Sequence, residues 1–163
     1  MPVELFRVDD RLIHGQVVVG WAKPMNAGFI MLVDDSVAEN AWEQDLYSLA
    51  VPPNIELVFA TVAAAADQLP ILERDSRRGI VLTGDVQTMA RLHERSPTFS
   101  EVNLGGLHTA PGRVACLRYV YLSEGDEAQL GELAARGVRV TAQDLPVSRQ
   151  TPLAELLARR KAS

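Results

Sequence analysis

Short apolar segments alternate with longer amphipathic ones along almost the whole chain, and this alternation is the strongest constraint on its fold. Most of the apolar segments are continuous, which is typical of strands buried on both faces of a parallel sheet. They predict strands at residues 3–8, 28–33, 55–60, 80–84, 102–104, 119–122 and 138–141. We therefore expect an α/β fold with a single open, mostly parallel sheet of about seven strands and helices on both faces.

The segments between the predicted strands have the patterns of helices. Residues 14–23 would also suit a strand, because valines interrupt the helical pattern, but their place between two strands favours a helix. A second helix is predicted over residues 37–50. Thr61 and Asp85 are predicted to cap the next two helices, and Gly137 ends a fourth. No repeat or linker interrupts this pattern, so residues 1–163 are predicted to form a single domain.

Composition excludes several classes of function. The net charge of −5 gives no basic field that would favour nucleic acid. No apolar run approaches the ~20 residues that cross a bilayer, and the N-terminus lacks the pattern of a signal peptide. The single cysteine, Cys116, cannot form an intrachain disulfide and is expected to be buried. These observations predict a cytoplasmic protein.

Charged residues are concentrated in residues 7–17 (RVDDRLIHGQV), between the first predicted strand and the first predicted helix. His14 lies at the projected start of that helix, where free backbone N–H groups and the helix dipole favour an anion. Gly15 allows the main chain to approach such an anion closely. A neutral imidazole can accept a phosphoryl group, and Arg11 could offset the charge of that group. His14, Arg11 and Asp10 are therefore the candidate catalytic residues.

Other residues of the same stretch could bind the phosphate or orient the candidate catalytic residues. Gln16 and Arg7 are, with Gly15, candidates for binding the phosphate. Asp9 or Asp10 could hold a ring nitrogen of His14 or could hold Arg11 in place. The residues alone leave a phosphate site and an ordinary ion pair beside a helix cap equally open.

Other chemistries are less favoured. A metal site is disfavoured because Arg11 would repel the cation. There is no Gly-x-Ser-x-Gly turn of a hydrolase and no nucleotide-binding P-loop, and we expect no cofactor.

Further candidate residues follow other predicted strands. Asp35, Gly105 and Gly106 would lie in the same cleft as His14 if strands one and five are neighbours, since ligands of open α/β sheets bind beyond the carboxyl ends of the strands. The two remaining histidines have simpler explanations. His93, within a helix, is predicted to be solvated. His108, in a glycine-rich loop, could approach the site if that loop folds over it, but a surface position is favoured.

Residues 7–17 closely resemble the signature of the IIB subunit of the mannose/fructose/sorbose family of the bacterial sugar phosphotransferase system. Shorter stretches that resemble the same family follow in the same order, and they are residues 33–38 (VDDSVA), 50–53 (AVPP), 102–106 (VNLGG) and 133–138 (LAARGV). One departure is Arg113, which stands where the family usually has lysine. The resemblance therefore covers nearly the whole chain.

The resemblance implies a cytoplasmic phosphocarrier that is peripherally associated with a membrane transporter. The histidine matching His14 would accept a phosphoryl group from the phosphohistidine of a IIA domain. It would then pass the group to a sugar during uptake through the membrane subunits IIC and IID, while the arginine matching Arg11 steadies it. The family uses no metal or nucleotide in this subunit. Independently of the resemblance, exposed apolar patches could support a homodimer.

Two alternative functions stay open at this point. One is a regulatory phosphoprotein that senses carbon status without a complete transporter. The other is a non-catalytic module that binds a phosphorylated small molecule at the same turn.

Overall fold

The described part of the chain, residues 3–162 of a computed structural model, contains nine strands. They are β1 (Val3–Val8), β2 (Ala27–Val33), β3 (Glu56–Ala60), β4 (Arg78–Thr83), β5 (Glu101–Leu104), β6 (Val114–Leu117), β7 (Val120–Leu122), β8 (Arg139–Ala142) and β9 (Thr151–Pro152). Seven of them form one sheet in the order β3-β2-β4-β1-β5-β8-β9, parallel except for the pair β8 and β9. The predicted mostly parallel α/β fold is confirmed.

Helices cover both faces of this sheet. One face carries a π-helix (Gln16–Ala22), a 3-10 helix (Val37–Glu39) and α1 (Ala41–Ser48). The other face carries α2 (Val62–Leu72), α3 (Val86–Arg95), α4 (Glu124–Ala135) and α5 (Leu153–Ala162). Side chains of a strand alternate between its faces, so two apolar cores result. In β2, for example, Met31 faces one core while Ile30 and Leu32 face the other.

The first two predicted helices differ in detail from an ideal α-helix. The first is a π-helix, in which the Lys23 N–H donates to the Val18 carbonyl oxygen at 2.9 Å. The predicted helix over residues 37–50 is divided at Asn40, whose backbone is extended. The side chain of Asn40 accepts the backbone N–H of Glu43 at 3.1 Å and caps α1. An asparagine that bonds to the backbone in this way ends one helix and begins another.

The predicted strand at residues 119–122 is present as β7, but it does not belong to the main sheet. It pairs with β6 in an antiparallel hairpin that forms a separate two-stranded sheet. Only Arg118 and Tyr119 separate the two strands, and such a short connection favours a hairpin over a crossover. The seventh place in the main sheet is taken by β9, which pairs with the edge strand β8.

His93 is buried, with 4% of its surface exposed, so the prediction that it is solvated was wrong. Its ring contacts Phe99 edge-on with the ring centroids 4.9 Å apart. Helical spacing from Val86 and Met89 places position 93 on the face of α3 that enters the core. Burial lowers the pKa of His93, which favours the neutral imidazole.

Other local predictions are confirmed. The side chain of Thr61 accepts the N–H of Ala64 at 3.1 Å, and that of Asp85 accepts the N–H of Thr88, so both residues cap their helices. Cys116 is buried.

Candidate active site

The candidate site lies at the carboxyl edge of the sheet, between β1 and β5. After β1 the chain crosses to β2, which lies on one side of the β1–β5 pair, and after β5 it crosses to β8, which lies on the opposite side. The direction in which the chain winds through the sheet therefore reverses between β1 and β5. Ligands of open α/β sheets bind at such a position. Residues 9–15 follow β1 and residues 105–113 follow β5. The two loops meet directly, since the Asp10 N–H donates to the Gly106 carbonyl oxygen at 2.8 Å.

The fully buried carboxylate of Asp9 is the centre of an ion cluster, which consists of Arg7, Asp9 and Arg11. Arg11 donates from Nε to Oδ1 at 3.0 Å and from Nη2 to Oδ2 at 2.8 Å. Burial by itself raises the pKa of Asp9, but hydrogen bonds from the Arg11 side chain and backbone outweigh it and the net pKa is lowered. Asp9 therefore stays ionised at neutral pH and holds Arg11, one of the two roles predicted for it.

Arg7 is fully buried, which corrects its prediction as a phosphate-binding residue. Its Nη1 donates to Asn103 Oδ1 and, at 2.9 Å, to the Gln143 carbonyl oxygen. Its guanidinium carbon lies 4.5 Å from the centroid of the Trp21 ring. Burial lowers the pKa of Arg7 to about 10 against the opposing effect of Asp9, so it remains charged at neutral pH. Arg7 supports residues 9–15 from inside the fold and does not face solvent.

Gly105 and Gly106 lie against the ion cluster, as their predicted place in the cleft requires. A Cβ added to Gly105 would lie 2.4 Å from Arg7 Nη2 and 2.6 Å from Asp9 Oδ2. A Cβ added to Gly106 would lie 3.1 Å from Arg11 Nε. The Gly106 N–H also donates to Asp9 Oδ2 at 3.1 Å. The end of β5 can pass this close to three charged side chains only because both residues lack a side chain.

Arg11 retains donors that could bind a phosphoryl group. Its Nη1 donates to Gln16 Oε1 at 2.8 Å, in addition to the two side-chain bonds to Asp9. A guanidinium group has five N–H bonds, so one on each Nη has no acceptor among residues 3–162. The Arg11 side chain is 33% exposed. It can therefore present two donors to phosphate oxygens that arrive from solvent.

His14 is half-buried and contacts neither Asp9 nor Asp10 through its ring, contrary to one of the predicted roles of these aspartates. Its Nδ1 lies 2.8 Å from the carbonyl oxygen of Leu12, which can only accept, so Nδ1 carries the proton. Its Nε2 is enclosed and has no hydrogen-bond partner within residues 3–162. Leu12 has φ of 59°, a left-handed conformation that is strained for leucine and is often found at functional sites.

Asp10 holds His108 rather than His14. Its Oδ1 lies 2.7 Å from His108 Nδ1, and its Oδ2 accepts the His108 backbone N–H at 2.7 Å. Arg113, the residue that departs from the family pattern, lies 3.8 Å from the same carboxylate and donates to the His108 carbonyl oxygen at 2.9 Å. His108 lies at the surface, as predicted, with 51% of its side chain exposed. Asp10 thus fixes the glycine-rich loop, residues 105–113, against residues 9–15.

Two remaining candidates differ in their relation to the ion cluster. Asp35 accepts the Val62 N–H at 2.9 Å and pairs with Arg91 at 3.2 Å. Its carboxylate therefore contacts residues of α2 and α3 and makes no contact with Arg11. Gly15 immediately precedes the π-helix, and a Cβ added there would have no atom within 4 Å. The space beside the start of this helix is therefore open to a ligand.

Among residues 3–162, four residues that contact a side chain of the ion cluster or of Gln16 were not predicted from the sequence as part of the site: Trp21, Asn103, Gln143 and Asp144. Two of them carried a usable signal. Asn103 is a polar residue inside a buried strand, where an amide requires a partner. Asp144 follows β8 at the carboxyl edge of the sheet, the same position that identified the other candidates.

The family to which the chain belongs follows from a comparison with known proteins. The model of the family described as "PTS system sorbose subfamily IIB component" matches residues 3–163. The chain belongs to this family. IIB components are phosphotransferases of the sugar phosphotransferase system, and membership supports a phosphocarrier role in sugar uptake.

Curated relatives of this IIB chain match it over most of its length. It is 29% identical to the sorbose-specific EIIB component of Lacticaseibacillus casei, over 98% of this chain and 95% of that one. It is 27% identical to the mannose-specific EIIAB component of Escherichia coli (strain K12), of which it spans only about half, 49%.

Solved structures share the fold of this IIB chain. The crystal structure of manxB from Thermoanaerobacter tengcongensis has a TM-score of 0.85 at 28% identity, with 96% of this chain and 95% of that chain covered. The IIBSor domain of the sorbose permease from Klebsiella pneumoniae has a TM-score of 0.88 at 23% identity, over 97% of each chain, and supports the fold alone. Within residues 3–162, no helix has the length and apolar character needed to span a membrane.

Proposed function

We propose that the chain is a phosphocarrier that accepts a phosphoryl group on His14 from the phosphohistidine of a IIA domain. It then transfers the group to a sugar during uptake through the membrane subunits IIC and IID. The observation that carries this proposal is that Arg11 is held in place and still has free hydrogen-bond donors. Asp9 and Gln16 hold its guanidinium in place, and two N–H donors remain available in the loop that also contains His14.

The chemistry needs a ring nitrogen of His14 with a free lone pair. In the resting position Nδ1 donates to Leu12 and Nε2 is enclosed, so the ring has to turn before it can attack phosphorus. The attack forms an N–P bond to His14 as the N–P bond of the donor histidine breaks. Arg11 and the backbone N–H groups at the start of the π-helix offset the negative charge that develops.

The second half of the reaction returns His14 to its starting state. A sugar hydroxyl attacks phosphorus, an O–P bond forms, and the N–P bond to His14 breaks. The hydroxyl proton passes to solvent, and the ring of His14, which has kept a proton on its other nitrogen, leaves as the neutral imidazole. Relatives named for sorbose, mannose, fructose and N-acetylgalactosamine support a sugar as the final acceptor.

The names of the relatives also support the proposed partners and location. The EIIAB relative combines the A and B components in one chain, which supports a IIA domain as the phosphoryl donor. The protein would act at the cytoplasmic side of its transporter, in peripheral contact with IIC and IID.

The test is to incubate the protein with a phosphorylated IIA domain and to measure its intact mass. We expect wild type to gain the mass of one phosphoryl group that is lost in acid, as a phosphohistidine should be. His108→Ala is the matched control, because it removes another histidine of the same site and should gain the same mass. His14→Ala should gain none. Absence of any gain in wild type, or an equal gain in His14→Ala, would refute the proposal.

A further inference from the structure

Asp144 contacts the candidate site from a distant part of the chain. It lies in the segment after β8, and its Oδ1 accepts the side-chain amide of Gln16 at 2.7 Å. Its main-chain carbonyl oxygen accepts Trp21 Nε1 and Arg7 Nη2, each at 3.1 Å, and Gln16 Nε2 at 3.3 Å. The backbone of Asp144 therefore supports the buried part of the site, while its carboxylate makes the shorter of its two contacts with Gln16.

The contacts of Gln16 join Asp144 to Arg11. Gln16 accepts Arg11 Nη1 at its Oε1 at 2.8 Å and donates from Nε2 to Asp144 Oδ1 at 2.7 Å. A carboxylate can only accept and a guanidinium can only donate, so these two partners fix which end of the amide faces which residue. If the amide turned over, the hydrogen bond to Arg11 and both hydrogen bonds to Asp144 would be lost. Asp144, chiefly through its carboxylate, thus determines that the oxygen of Gln16 faces Arg11.

We propose that Asp144 is a positioning residue for phosphoryl transfer, which through Gln16 holds the Arg11 guanidinium where it meets the phosphoryl group. This inference rests on the proposed function of His14 and Arg11. Asp9 fixes one edge of the guanidinium, through Nε and Nη2, and Gln16 fixes Nη1. Without the second contact the terminal nitrogens can move relative to His14. Small displacements of a charge-stabilising group reduce the rate of transfer strongly.

The test separates the carboxylate of Asp144 from its backbone. Asp144→Leu removes the carboxylate, which is the 2.7 Å acceptor for Gln16. It keeps the main-chain carbonyl, which Arg7 and Trp21 contact and which Gln16 contacts at the longer distance of 3.3 Å. With phosphoramidate as a small phosphoryl donor, we expect His14 to be phosphorylated about tenfold more slowly in this variant. Asp144→Asn retains an acceptor oxygen and should restore much of the rate. A rate in Asp144→Leu equal to that of wild type would overturn the proposal.

The matched control is Asp34→Leu. Asp34 also follows a strand at this edge of the sheet, but within residues 3–162 its carboxylate accepts only the N–H groups of Ser36 and Val37 in its own turn. Its substitution should leave the rate of phosphorylation unchanged, and a loss as large as in Asp144→Leu would overturn the specific role of Asp144.

A second measurement tests whether Asp144 acts through Arg11. In an Arg11→Ala background, Asp144→Leu should cause no further loss of rate, because the group that Asp144 positions is already absent. A further tenfold loss would overturn the proposal.

If wild type is not phosphorylated on His14 at all, the proposed function fails. A nuclear magnetic resonance spectrum then still tests whether Asp144 positions Arg11 through Gln16. The side-chain N–H signals of Gln16 and Arg11 should both shift in Asp144→Leu, and an unchanged Arg11 signal would overturn the positioning role.

Discussion

Substitution of Asp9 by asparagine tests the centre of the ion cluster. The Asp9 carboxylate is fully buried and accepts hydrogen bonds from the Arg11 backbone and side chain and from the Gly106 N–H. An asparagine of the same size has one acceptor oxygen, and its amide N–H₂ would face a guanidinium donor. Arg7, also buried and with its Nη2 3.7 Å from Oδ2, would lose the neighbouring negative charge.

The structure sets the expected magnitude. Removal of one partner of a buried ion pair costs ~3–5 kcal/mol, because the remaining charge is left in the interior. Because asparagine keeps one acceptor, we expect a loss at the lower end of this range, which is a decrease of about 3 kcal/mol in the free energy of unfolding. For a chain of 163 residues this corresponds to a decrease of ~10 °C in the midpoint of thermal unfolding.

Urea unfolding followed by tryptophan fluorescence measures this loss, and its pH dependence tests the cause. The pKa of Asp9 is lowered in the folded state, so its ionised carboxylate contributes fully above the unfolded value of about 4. That contribution is lost as the pH falls through the folded-state pKa. The difference between wild type and Asp9→Asn should therefore narrow below about pH 4.

Glu155→Gln is the matched control for Asp9→Asn. Glu155 also makes a bidentate contact with an arginine, accepting the two Nη atoms of Arg149 at 3.0 and 2.8 Å, but the side chain of Arg149 is 66% exposed. Surface pairs contribute little to stability, so this variant should unfold almost as wild type does. Equal losses in the two variants, or a difference for Asp9→Asn that does not depend on pH in acid, would refute the reasoning.

Three further predictions concern other positions. Gly105→Ala should lower the free energy of unfolding by about 2 kcal/mol, because its methyl group would collide with the ion cluster, whereas Gly15→Ala has open space and should cause no loss. Equal losses in urea unfolding would contradict this. His93 has a lowered pKa in the folded state through burial, so protonation favours unfolding, and stability should fall as the pH drops below about 6.5. His93→Leu should lose this part of the pH dependence, and an unchanged profile would contradict it. Cys116 is buried and burial raises its pKa, so a disulfide reagent should react with it much more slowly in buffer than in urea; similar rates would contradict its burial.

The main sheet could be predicted because strands buried on both faces have continuous apolar sequences. Two strands were missed, each for a different reason. The strand β9 has only two residues and includes Pro152, which has no N–H to donate to a neighbouring strand. The strand β6 is apolar but follows a long loop and precedes β7 almost directly, so its pairing depends on a hairpin that the apolar pattern does not reveal.

In the site, too, residues that are recognisable from local sequence were predicted, and contacts between residues distant in sequence were not. His14, Arg11 and Gly15 were found because their chemistry fits a strand-to-helix turn, which is a local property of the sequence. The partners of the charged groups are not local. Asp10 contacts His108, which lies 98 positions away, and Arg7 contacts Asn103, which lies 96 positions away. Such contacts depend on the order of strands in the sheet, which the sequence does not state.

The pairing of these charges explains how two aspartates can lie beside a site proposed for a phosphoryl group. An unpaired carboxylate would repel the phosphoryl group, but Asp9 is buried between two arginines and Asp10 is turned towards His108 and Arg113. Two guanidinium groups around a single buried carboxylate leave the ion cluster with net positive charge. Arg11 is also ordered before any ligand arrives, so binding does not have to restrict a side chain whose rotamer entropy amounts to ~2 kcal/mol. Asp9 thus makes Arg11 a better ligand for the proposed phosphoryl group, because it holds the guanidinium still without removing its remaining donors.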